Sequence, residues 1–407
     1  MRRPVEVLLV GLNYAPEHTG IGPYTTGVAR ALAAAGHRVR VVAGFPYYPA
    51  WRLPEGYRAG LIRREADGPV EVTRLRHHVP RSSTGLGRIA HEASFAAHAW
   101  LRGVPGRPDV VVGVSPSLLS LVAARALARR SGAAFGAVVQ DVYSAAATEV
   151  AGMGARGAAA VRALESAQLR AADGVVVAHG RFTGTIASLG VASERISVIE
   201  NWVHIAAPAE RRRAAVRARL GWRPDEVVAL HAGNMGVKQD LTNLVAAGRL
   251  AGQRERFVLM GDGAQRAAIR AAAERVPAVS VLDPVPDTDF PDVLAAADVL
   301  LVNELPGVRE MCVPSKFTSY FMAARPIVAA TEADSAAAAE LAASGAGTRV
   351  PPGEPRAVLA AVRALGADPA LGDALGRCGR SYGDSRRQAE SALAQYTAWV
   401  ERLADAR

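Results

Sequence analysis

The chain has 407 residues, and 48 Lys+Arg against 38 Asp+Glu leave a net charge of +10. That length suits two domains. Apolar residues at 50% with charged residues at 21% exclude a disordered chain, and two cysteines, Cys312 and Cys378, exclude a disulfide framework or a cysteine zinc site and suit a reducing compartment.

Basic residues precede the first apolar run, as in a secretion signal, but Val5–Val10 is short and is followed by Gly11-Leu12-Asn13-Tyr14 with no small-residue cleavage site. It is predicted as a buried strand. A helix is expected over Gly22–Ala35, stopping at Gly36. Strands follow at Val39–Val42, Asp109–Val114, Ala134–Val139, Gly174–Val177 and Ile196–Ile199. Helices are expected at 117–130, 161–171 and 181–189. The segment Leu86–Leu101 sets Ile89, Phe95, Ala96, Ala99 and Trp100 among His and Arg residues; as an amphipathic helix it either packs in a core or lies on a membrane. His77, His78 and His91 are read as loop and helix-face residues.

The pattern breaks at Ile205–Glu210 and restarts. Strands are predicted at Val227–Leu230, Phe257–Met260, Val279–Leu282, Val299–Val302 and Ile327–Ala330. Helices are predicted at 211–220, 241–250, 264–274, 290–297 and 317–324. Residues 384–406 form a long amphipathic helix with Leu393, Tyr396, Val400 and Leu403 on one face. Apolar strands without polar alternation, each followed by a helix, give a parallel sheet covered on both faces. The fold class is therefore α/β with two doubly wound Rossmann-like domains: 1–205, 206–383 and a bridging helix over 384–407. No window offers about 18 uninterrupted apolar residues, so no membrane-crossing helix is expected.

Ligands of such sheets bind on the turns that leave strands and open helices. The first turn, Gly11–Gly22, carries Gly20 and Gly22, which either face an anion at the helix start or serve a turn needing positive φ. The second, His231–Gln239, combines Gly233, Asn234, Gly236 and Lys238, a set that suits a diphosphate. Lys238 could equally be a solvated surface residue. Yet only Lys238 and Lys316 among the 48 basic residues are lysine. The arginines read as a compositional bias spread along the chain, which argues against nucleic acid, so a retained lysine is the more informative cation. The third turn has Ser315 as a helix cap and Lys316 in the first helical turn, where the helix dipole opposes a cation and an anionic ligand would explain it. The fourth is Gln140-Asp141; Asp141 either caps a helix or bonds sugar hydroxyls. No His/Asp/Glu cluster has metal-ligand spacing.

These turns, in this order, resemble glycosyltransferase family 4, in particular its bacterial exopolysaccharide and O-antigen branch of the colanic-acid type. The matching segments are Tyr14–Gly22, Gln140-Asp141, Ala172–Ala178, Ile199–Val203, Gly233–Gln239 and Val313–Lys316 with Tyr320–Pro326. The resemblance implies the GT-B fold, with the two domains facing a central cleft. It also implies a retaining, metal-independent transferase with no cofactor beyond a UDP- or GDP-linked sugar as co-substrate. It gives the donor diphosphate to Lys238, with Gly233, Asn234 and Gly236 on the same turn and Lys316 with Ser315 as the second contact. Gly20 and Gly22 would lie by the diphosphate, Glu310 near the sugar hydroxyls, and Asp141 by the reacting sugar. The proposed catalytic set is Asp141, Lys238 and Glu310. Many relatives carry a ribose-gripping glutamate where this chain has Ser319, and an arginine where it has Asn234. The expected acceptor is a glycan or a polyprenyl-diphosphate-linked sugar, with peripheral contact to the inner membrane face from a cytoplasmic location. Rival readings are a soluble natural-product acceptor, a nucleotide-sugar epimerase, and a degenerate sugar-nucleotide-binding partner of another transferase.

Overall fold

Valine-rich apolar runs with helical stretches between them have one economical solution, a parallel sheet buried on both faces, and the chain adopts it twice. The structure is a computed structural model that describes residues 3–80, 85–103, 106–144, 154–209, 212–309 and 315–406. It divides into two units: Met1–Asn201 with Ala389–Arg407, and Trp202–Arg309 with Val313–Gln388.

The first unit holds an eight-stranded sheet of β1 (Glu6–Gly11), β2 (Arg38–Gly44), β3 (Ile62–Asp67), β4 (Val70–Leu75), β5 (Val110–Ser115), β6 (Ala134–Val139), β7 (Gly174–Val177) and β8 (Ile196–Val198). Their spatial order is β3-β4-β2-β1-β5-β6-β7-β8. All pairs are parallel except β3 with β4. Every residue of β5 and β6 is buried. The second unit holds β9 (Val227–Ala232), β10 (Glu255–Met260), β11 (Val279–Leu282), β12 (Val299–Asn303), β13 (Ile327–Ala330) and β14 (Gly347–Val350), ordered β11-β10-β9-β12-β13-β14 and parallel throughout. Chain order reverses direction between β1 and β5 in one sheet and between β9 and β12 in the other. Loops at the carboxyl ends of those strands diverge there and leave a crevice.

Several elements depart from expectation. The β3–β4 hairpin was not anticipated: β3, Ile-Arg-Arg-Glu-Ala-Asp, is an edge strand with no buried residue and shows no apolar alternation. The helices Ala336–Ser344, Pro355–Ala367 and Pro369–Arg386 were also not anticipated. The helix expected over 384–406 is broken. One helix ends at Arg386 and another runs Ala389–Asp405. Between them the Arg387 side chain turns into the second unit and donates to both carboxylate oxygens of Glu340 at 2.6 Å, while its carbonyl accepts the Val203 N–H at 2.9 Å. The Ala389–Asp405 helix then packs on the first sheet, where Trp399 and Leu403 occupy the space that Cβ atoms on Gly136 and Gly174 would need. Among the described residues no helix is long and apolar enough to cross a membrane.

Candidate functional site

In the second unit the site begins where β9 runs out. Gly233 leaves the strand with its N–H donated to Met260 O at 2.9 Å, and Met235 N–H goes to Asp262 O at 2.8 Å. Gly236 N–H is taken by Gln239 Oε1 at 3.0 Å. These three amides are therefore engaged inside the turn, and an anion here meets side chains instead. Lys238 sits half-buried in the short turn Val237–Gln239, just before helix Leu241–Arg249. Its carbonyl accepts Leu305 N–H at 2.8 Å, which ties this turn to the loop leaving β12. Asn303, buried at the end of β12, donates to Gln239 O at 2.9 Å and Asp240 O at 3.0 Å and accepts from Asn243 at 2.8 Å. The two loops beside the β9/β12 switch point are thus fixed by buried hydrogen bonds, as a site that must hold its geometry requires.

Lys316 arrives from the β12–β13 crossover. It is half-buried at the start of helix Lys316–Met322, and its Cε lies 3.7 Å from the point where a Cβ on Gly233 would stand. His231, fully buried at the end of β9, is held neutral first by desolvation and then by the nearby Lys316 charge. The same helix is locked to β9 by Tyr320, whose buried hydroxyl accepts Ala232 N–H at 2.9 Å. Tyr320→Phe leaves that amide unsatisfied and is expected to cost about 1–3 kcal/mol in denaturant unfolding. A loss below about 0.5 kcal/mol would contradict this locking role.

One cap assignment is corrected. Ser315 precedes the helix but has helical φ/ψ and caps no N–H with its side chain; its carbonyl accepts the Thr318 hydroxyl at 2.7 Å. After Asp141, the N–H groups of Tyr143 and Ser144 are taken by Glu165 at 2.8 and 3.0 Å. Ser319 is buried on the Lys316 helix. Glu310 lies outside the described residues, as do Val313 and Pro314 of the same motif.

A third glycine turn, Gly261-Asp262-Gly263 after β10, was missed. A Cβ on Gly263 would stand 2.6 Å from Asn234 Oδ1 and 2.7 Å from Met235 O, and its φ of +151° suits glycine alone. Asn234 therefore fills space kept open by two glycines, and its buried Oδ1 has no hydrogen-bond partner among the described residues. Glu304, buried beyond β12, was missed too; it accepts the Thr331 hydroxyl at 2.6 Å.

In the first unit Gly20 has φ +67°, and a Cβ on Gly22 would stand 2.6 Å from Glu17 O, so both glycines answer a local backbone demand. The loop wraps Glu17, a buried carboxylate that accepts Tyr47 N–H and Tyr48 N–H at 2.9 Å and Asn13 Nδ2 at 2.8 Å. Desolvation raises its pKa against those bonds. Half-buried Asp141 follows β6, and its neighbour Gln140 accepts Asn201 Nδ2 at 2.8 Å, which joins two motif segments. Tyr143 OH donates to Glu92 at 3.0 Å and Arg88 pairs with the same carboxylate at 2.8 Å, so helix Gly85–Arg102 is tied to the Asp141 turn.

His77, in the loop after β4, and His91, on helix Gly85–Arg102, are both buried, and their rings lie 4.8 Å apart beside Tyr47. Burial depresses them to about 4 and about 3. On helix Gly85–Arg102, Phe95 and Ala99 are buried while Leu86, Ile89, Trp100 and Leu101 are 83%, 51%, 52% and 68% exposed, so the segment has both a core face and an open apolar one. Among the described residues no group of three His, Cys, Asp or Glu is placed to hold a metal ion.

Residues 19–202 match the family model described as a glycosyl transferase 4-like domain. The chain is 33% identical over 328 residues to WcaI of Escherichia coli (strain K12), whose name assigns it to colanic acid biosynthesis as a glycosyl transferase; the match spans 77% of this chain and 80% of WcaI. Among solved structures, a sucrose-phosphate synthase from Thermosynechococcus elongatus superposes with TM-score 0.76 at 18% identity, covering 100% of both chains. Anabaena HepE in complex with UDP-glucose superposes with TM-score 0.68 at 15% identity, covering 98% of this chain and 100% of that one.

Proposed function

The chain belongs to glycosyltransferase family 4 and is a glycosyltransferase with two Rossmann-like α/β domains of the GT-B type; from that premise we propose that it moves a sugar, with retention and without a metal, from a nucleotide-sugar donor to an acceptor hydroxyl in bacterial exopolysaccharide or O-antigen assembly. The observation that carries this reading is the placement of the chain's only two lysines. Lys238 stands on the turn after β9 and Lys316 opens the helix of the β12–β13 crossover, both in the second unit. A departing nucleoside diphosphate gathers negative charge as the sugar develops oxocarbenium character, and two fixed ammonium groups meet that charge. Lys238 and Lys316 hold the diphosphate, Asn234 and Ser319 lie on its nucleotide side, and Glu310 takes the sugar hydroxyls. UDP-glucose bound to HepE supports a uridine diphosphate donor. Asp141 in the first unit meets the acceptor hydroxyl. Retention without an enzyme nucleophile is served by attack on the face the leaving group vacates.

The test is a melting-temperature screen of the full chain against UDP- and GDP-linked sugars with EDTA present. One donor at 100 times its Kd should stabilise by about 2.7 kcal/mol. No stabilisation by any of them, with or without magnesium, would sink the donor assignment, and tight binding without turnover would favour a degenerate binding partner.

The acceptor is a polyprenyl-diphosphate-linked sugar at an anionic membrane, met by the exposed face Leu86–Ile89–Trp100–Leu101 on a chain of net charge +10. Sedimentation with phosphatidylglycerol vesicles should capture the chain, phosphatidylcholine vesicles should not, and Leu86→Ser with Ile89→Ser should release it. Equal capture of the double variant would remove this face from the account.

A further inference from the structure

We propose that a cleft in the first unit, formed by the loop after β2, the end of β4 and helix Gly85–Arg102, binds a phosphate ester or diphosphate carried by the acceptor; this rests on the transferase reading above. The cleft has a volume of about 680 Å³ and is lined by Arg52, Arg58 and Arg76 with Trp51, His77 and Ser94, and no carboxylate is among its lining residues. That absence is informative because arginines of this unit commonly stand against acids: Arg30 on Asp67, Arg40 on Glu6, Arg74 on Glu65 and Arg88 on Glu92. Here Arg76 donates to two carbonyls, Arg58 O at 2.9 Å and Gly60 O at 3.3 Å, which orient the guanidinium without neutralising it. Among the described residues the Arg52 and Arg58 guanidinium groups have neither a hydrogen bond nor an ion pair. Three cations facing one open cleft repel one another until an anion enters, and guanidinium forks fit phosphate oxygens.

The cleft is also built from beneath. Trp51 holds a left-handed backbone, φ +51°, that a bulky side chain rarely adopts. Its ring is wedged against Tyr47 and His91 at 5.3 and 5.4 Å between centroids, with the Arg88 guanidinium 5.9 Å from its centroid. His77, buried at the cleft wall, bonds Leu75 O through Nδ1 at 3.3 Å, so Nδ1 carries the proton. Nε2 is then a buried acceptor with no hydrogen-bond partner among the described residues.

The experiment is calorimetric titration of the full chain with inorganic pyrophosphate and with farnesyl diphosphate. It is run in a Lys238→Ala, Lys316→Ala background, which removes diphosphate binding at the donor turns. Both probes should still bind there, and adding Arg52→Gln with Arg58→Gln should weaken each about tenfold or more. Farnesyl diphosphate binding more tightly than pyrophosphate assigns a lipid carrier, and equal binding assigns a soluble phosphate ester; either upholds the site. Affinities unchanged by the arginine substitutions, or no binding in the lysine-free background, would overturn it. The donor screen of the unsubstituted chain is read separately, so its failure sinks the donor assignment while leaving the cleft result in place.

Discussion

Replacing Lys238 by alanine is expected to lower kcat/KM by about 100-fold or more, the scale on which one fixed charge at a developing anion acts, while the unfolding midpoint stays close to that of the unsubstituted chain. The two effects separate because of how the turn is held. Its geometry rests on the bond from Gly236 N–H to the Gln239 side chain, on the Lys238–Leu305 backbone bond and on Asn303, none of which uses the lysine side chain. Arginine at this position should rescue poorly, since a planar fork has a different reach from a compact ammonium. If turnover of Lys238→Ala stayed within about threefold of normal, the donor assignment to this turn would fail.

Glu340→Ala is expected to be the most destabilising single change, costing about 3–5 kcal/mol. Glu340 and Arg387 are each 3% exposed and bonded at 2.6 Å through both carboxylate oxygens. Removing the acid strands a guanidinium charge in the second unit's interior. The same arginine interrupts the C-terminal helices and receives the Val203 N–H, so strain there reaches both ends of the unit's chain. Glu340→Gln keeps an acceptor and should cost less. Urea unfolding reads both; a loss under about 1 kcal/mol for the alanine variant would contradict this account of the pair.

What the sequence disclosed followed from how strongly each residue stood out from its background. Val110–Ser115 and Ala134–Val139 are buried on every side and read as strands from their composition. Lys238 and Lys316 were legible because nearly every other cation is arginine. The same bias hid Arg52, Arg58 and Arg76: three arginines among so many carry no signal until the fold gathers them in one cleft. His77 and His91 stand in separate elements, one after β4 and one within helix Gly85–Arg102, and only the packing of that helix joins them. Gly261 and Gly263 escaped notice because the turn after β10 matters through its approach to Asn234 and Met235, a contact between loops distant in sequence. Edge strand β3 has no apolar period to read, and the break at Arg387 arises from a tertiary ion pair that helical periodicity does not encode.

The central claim is metal-independent, retaining transfer from a nucleotide sugar, and one measurement addresses it directly. The full chain is incubated in EDTA with the donor found by the melting screen and a farnesyl-diphosphate-linked sugar, and the product is followed by mass spectrometry and anomeric proton couplings. The account predicts a product heavier by one sugar, with the anomeric configuration of the donor retained and with formation depending on Lys238. An inverted linkage, or transfer that appears only when a divalent cation is restored, would contradict it.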